Sequence, residues 1–75
     1  MLTTFTFVAE LTPAVNRAEA ERRLGAFAAS SSWGDPAVLP QGAPQEFRFV
    51  MGASNREEAI ARLTEHLGVP VRLGA

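Results

Sequence analysis

The sequence predicts an α+β sandwich in the order βαββαβ, with two helices packed on one face of a four-stranded antiparallel sheet. Three observations predict it. Two stretches, TTFTFVAEL (3–11) and EFRFVM (46–51), alternate apolar and polar residues with a period of two. NRAEAERRL (16–24) recurs at six of nine positions as NREEAIARL (55–63). Pro36, Pro40 and Pro70 fall in or beside the expected second and fourth strands, and no proline interrupts the first or third.

The first strand places Phe5, Phe7, Ala9 and Leu11 on one side and Thr4, Thr6, Val8 and Glu10 on the other. Pro13 closes it. Asn16 is a good helix N-cap, and Glu19 stands where the reciprocal acid of a capping box belongs. Ala20, Leu24, Phe27 and Ala28 then recur at helical spacing, leaving Glu21, Arg22 and Arg23 toward water. The serines at 30–32 and Gly34 end this helix. PAVL (36–39) makes a short second strand, and QGAP (41–44) makes a turn. In the third strand Phe47, Phe49 and Met51 oppose Glu46, Arg48 and Val50. Ser54 and Asn55 offer caps to a second helix whose inner stripe is Ala59, Ile60, Leu63 and Leu67. Gly68 stops it, and VPVRL (69–73) forms the last strand.

Further matches follow in the same order along the chain: FTFV (5–8) with FRFV (47–50), then GDPAVL (34–39) with GVPVRL (68–73). Each half therefore reads strand, helix, strand, an internal βαβ pseudo-repeat. The element order resembles the ferredoxin-like sandwich, which implies that the first and third strands are central and the other two lie at the edges. Proline at an edge strand also discourages unwanted strand pairing.

Seventy-five residues make one domain, 1–75, with a small core, since a chain this short buries only about 60% of its unfolded surface. There is no cysteine to supply a disulfide or a thiolate metal site, which fits a reducing cytoplasm, the compartment expected here. No secretory signal is visible, and no apolar run approaches the roughly 20 residues needed to span a bilayer. All seven basic side chains are Arg, and the net charge of −1 creates no strong field for a polyanion.

Enzymatic constellations are missing. The one histidine, His66, sits near the end of the second helix, where it favours the negative end of the helix dipole. Glu57 and Glu58 read as first-turn helix acids rather than metal ligands, and the six glycines form no phosphate-cradling loop. No catalytic, cofactor or metal residue is assigned, and a non-enzymatic protein is expected. In SSSWG (30–34), Trp33 is either a binding anchor or a cover for the end of the core.

LTPAVNRAEAERRLGAF (11–27), QEFRFVMG (45–52) and TFVAEL (6–11) resemble the loop, first helix and two aromatic motifs of the RNA-recognition motif. That resemblance implies nucleic-acid binding through Phe7, Phe47 and Phe49. The pattern departs from the family at Gln45, Glu46, Arg48 and Gly52, and turning those aromatics outward would bury Glu46 and Arg48 at a cost of several kcal/mol. The opposite parity makes the phenylalanines core and disfavours nucleic acid as a partner.

That parity leaves Thr4, Thr6, Val8, Glu10, Glu46, Arg48 and Val50 on the open face. It is either a solvated face or a contact surface, on which Arg48 of one copy meets Glu10 or Glu46 of another. The expected function is a small protein-binding or regulatory module that self-associates through this face, with Thr6, Val8, Glu10, Glu46, Arg48, Val50 and Trp33 as candidate interface residues. An alternative is a small-ligand sensor. The topology is shared with the ACT domain, which implies an amino-acid ligand near the loop leading into the first helix, here TPAVN (12–16), though without that family's usual glycine. A degenerate RNA-binding module is the remaining alternative.

Overall fold

Two eight-residue strands, β1 (Thr3–Glu10) and β3 (Glu46–Ala53), form the centre of the sheet in a computed structural model that describes residues 2–74. Around them run α1 (Arg17–Ser30), β2 (Ala37–Val38), α2 (Arg56–Leu67) and β4 (Val71–Leu73). The sheet order is β2-β3-β1-β4 with every neighbouring pair antiparallel, the ferredoxin-like arrangement.

The parity of the central strands follows from what their alternate residues can bury. Phe7, Phe47 and Phe49 are fully buried, and Met51 and Ala53 lie beside them in the core. Their rings form a tilted run, Phe7 to Phe49 and Phe47 to Phe49 both at 5.5 Å between centroids, in the range where aromatic pairs attract beyond their burial. Phe5, near the start of β1, is half-buried and packs on this cluster. From the helices come Ala20, Leu24 and Phe27 of α1 and Ala59, Leu63 and Leu67 of α2, the stripes expected from their spacing.

Both helices start on an asparagine. The Asn16 Oδ1 accepts the Glu19 N–H at 2.9 Å, and the Asn55 Oδ1 accepts the Glu58 N–H at 2.7 Å. The expected return bond from Glu19 does not form. Its carboxylate turns instead to Arg22 and Arg23, which hold its pKa down to about 2 by hydrogen bonding and charge.

The pseudo-repeat has a geometric counterpart. Phe7 lies opposite its equivalent Phe49 in the sheet register. In the helix layer Phe27 meets its equivalent His66, rings 4.7 Å apart. Residues facing their own equivalents mark a local two-fold axis through the sheet and the helix pair. The equivalent arginines reach across this axis in opposite directions. Arg23 of α1 donates to the Leu67 carbonyl at the end of α2, at 2.9 Å. Arg62 of α2 stacks over Trp33, 4.8 Å from the ring centre, beyond the end of α1.

The edge strands are shorter than their sequence pattern suggests. PAVL pairs regularly only at Ala37 and Val38, because Pro36 and Pro40 on either side lack an N–H. After Leu39, whose N–H still reaches the Arg48 carbonyl, the Gln41 side chain takes over the role of backbone. Its Oε1 accepts the Arg48 N–H at 2.8 Å, and its Nε2 donates to the Arg48 carbonyl at 3.2 Å and to the Leu39 carbonyl. VPVRL likewise pairs fully only over Val71–Leu73, and the Pro70 carbonyl still accepts the Glu10 N–H.

Candidate functional site: the open sheet face and a loop pocket

On the face away from the helices, the register sets Thr6 opposite Val50, Val8 opposite Arg48, and Glu10 opposite Glu46. Six of the seven candidate interface residues are therefore gathered on one surface. Val8 is not adjacent to Val50 across the strands but diagonal to it. Along the other edge of β1, Val8 is also opposite Arg72 of β4.

Two like charges directly opposite, Glu10 and Glu46, would destabilise the pair. Arg72 resolves this by reaching across β1 to the Glu46 carboxylate at 2.5 Å. The bridge passes over the β1 backbone beside Val8. Val8, on the outward face, is only 4% exposed: Arg48 and Arg72 lie opposite it on the two neighbouring strands, and a Cβ added at Gly74 would lie 3.2 Å from its Cγ2. Arg72 was open to sequence reasoning, since VPVRL places it outward between inward Val71 and Leu73.

Arg48 behaves differently. Its backbone is held by Gln41, and its guanidinium reaches the 39–45 loop, near Gly42. No carboxylate pairs with it among the described residues, and no cation pairs with Glu10.

Trp33 is not part of this surface. It is only 6% exposed, with its ring edge-on to Phe27 at 5.5 Å and capped by Arg62. The interface assignment of Trp33 is corrected accordingly: the side chain closes the core at the end of α1. Nor does either sheet face offer the stacking platform that the RNA-recognition resemblance implies, because Phe7, Phe47 and Phe49 lie beneath the helices.

A second feature lies where the β1–α1 and β2–β3 loops meet. An open pocket of about 310 Å³ is lined by Leu11, Thr12, Pro13, Asn16 and Arg17 from the first loop and the start of α1, and by Pro44 and Gln45 from the second loop. It borders TPAVN, the loop that the sensor alternative singled out. The walls are tied together by the Leu11 N–H to the Gln45 carbonyl at 2.6 Å and by Arg17 Nη2 to the Glu46 carbonyl at 3.0 Å. The turn is locked by two bonds between Thr12 and Val15.

Compared with known protein families, curated proteins and solved structures, the chain matches none. Its function must be argued from its own surfaces. Among the described residues no three His, Cys, Asp or Glu side chains converge as metal ligands, and no helix is long and apolar enough to cross a membrane.

Proposed function

We propose that this chain is a non-enzymatic regulatory or protein-binding module that pairs with a second copy of itself through the open sheet face. One observation carries the reading. The face holds an arginine without an acid, Arg48, and an acid without a base, Glu10, beside an ion pair already closed within the chain. A two-fold contact brings the same patch against itself, so the Arg48–Glu10 pair forms twice, once from each copy. Thr6 and Val50, both half-buried, supply the centre of the contact, and complementary charge fixes the register of such a contact more than its strength.

Sedimentation equilibrium across a wide concentration range tests this. Wild type is expected to dimerise, Arg48→Glu to weaken the dimer without unfolding the monomer, and the exchange Arg48→Glu with Glu10→Arg to restore it. A wild type that remains monomeric at millimolar concentration defeats the proposal.

A further inference from the structure

The pocket between the two loops has a one-sided chemistry. Arg17 contributes a positive charge, and no acidic residue lines the cavity. Arg17 takes part in no ion pair among the described residues. One of its N–H groups goes to the Glu46 carbonyl, while its Nε is buried with no acceptor at all. A partly buried cation compensated only by a carbonyl is costly, and an orphaned buried donor adds to that cost.

The neighbouring polar groups are also left as donors. The Thr12 Oγ1 accepts the Val15 N–H, so its own hydroxyl proton is free to be given away. The Asn16 oxygen is committed to Glu19, which leaves its NH₂. The start of α1 adds the positive end of a helix dipole to the same rim. Leu11, Pro13 and Pro44 make the remaining wall apolar. The volume, about 310 Å³, lies at the lower end of ligand cavities.

We infer that this pocket binds a small aliphatic carboxylate, with the carboxylate on the Arg17 guanidinium and the hydrocarbon against Leu11, Pro13 and Pro44. The Nη groups of Arg17 still carry N–H donors beyond the one given to Glu46, and a hydrogen bond between two charged groups is roughly twice as strong as a neutral one. A phosphate dianion is the poorer fit, since the pocket has one cation and an apolar wall. The hydrogen bonds that tie the walls together hold the site open before any ligand arrives, which lowers the ordering cost of binding. The inference does not rest on self-association through the sheet face, and its readout is separate.

The test is an NMR titration of the ¹⁵N-labelled full chain with 4-methylpentanoate. 4-Methylpentanamide serves as a neutral ligand of similar shape, and inorganic phosphate as an anion without a tail. Saturable shifts at Thr12, Asn16, Arg17 and Gln45 are expected with the carboxylate, and affinity at least tenfold weaker for both controls. Arg17→Gln should abolish the shifts while keeping a dispersed spectrum. Should that variant unfold, Gln45→Glu, which sets an acid on the exposed rim, is expected to weaken binding in the same way. Equal binding of the amide, equal binding of phosphate, or no saturable shift at tens of millimolar would each overturn the inference.

Discussion

Gly68 ends α2 in the left-handed region, at φ 74°, and a Cβ added there would lie 2.8 Å from Nη1 of Arg23. Gly68→Ala therefore carries two separable penalties. A side chain in the left-handed region costs about 1–2 kcal/mol. The second penalty comes from Arg23, which must retreat from the Leu67 carbonyl it now reaches at 2.9 Å. A buried hydrogen bond from a charged donor is worth about 1.5–3 kcal/mol; with a third of the Arg23 side chain exposed, about 1 kcal/mol is the fair share. The sum is about 2–3 kcal/mol. Gly34 is an internal control, because its φ is 85° but nothing lies within 4 Å of an added Cβ. Gly34→Ala should cost only the backbone part, about 1–2 kcal/mol. Urea unfolding followed by the fluorescence of Trp33, the sole tryptophan and a buried one, measures both. In thermal unfolding, each kcal/mol corresponds to about 4–8 °C for a domain of this size. The double-mutant cycle is decisive: in an Arg23→Ala background the cost of Gly68→Ala should fall to that of Gly34→Ala. An unchanged cost in that background refutes the assignment of Arg23 as the cap of α2.

Two further outcomes follow from the same structure. Phe47→Ala, at a fully buried position, should cost about 3–5 kcal/mol and unfold much of the population; a stable fold at 25 °C by circular dichroism would show that this face is not the core. Glu19 should make stability depend on acid. Its carboxyl binds a proton near 4.5 in the unfolded chain but only near 2 when paired with Arg22 and Arg23, so its contribution is complete above 4.5 and is lost as pH falls toward 2. Over that window wild type should lose stability more steeply than Glu19→Gln, and the difference should shrink in high salt because the pair is exposed; identical slopes would remove Glu19 from the account.

The elements were legible in the sequence because each carries a local signal. Phe5 and Phe7 in one strand and Phe47 and Phe49 in another recur at a period of two, Asn16 and Asn55 open the helices, and Pro36, Pro40 and Pro70 identify the edges. Six candidate residues of the open face were legible for the same reason, since alternation alone assigns a side. What alternation does not carry is which charges meet across strands. Arg72, rather than Arg48, takes Glu46, because register across β1 decides the reach. Trp33 was open to two readings, and its choice depended on Phe27 and Arg62, the latter 29 positions further along. The substitution of the Gln41 side chain for a strand backbone has no sequence signature beyond a proline before it. The donor-rich rim at Arg17 arises only when the loops at 11–16 and 43–45 come together.

The local two-fold axis has a consequence for how this chain assembles. Phe7 needs Phe49 and Phe27 needs His66, each across the axis, and each helix end is finished by an arginine of the other half. Neither half closes its own interior, so the segment at 39–45 acts as a tether that keeps two complementary pieces at high effective concentration. A single cleavage there would break no interior contact, yet it would turn folding into a bimolecular encounter. The nicked protein would hold together when concentrated and fall apart on dilution, while the intact chain is indifferent to dilution as far as its core is concerned.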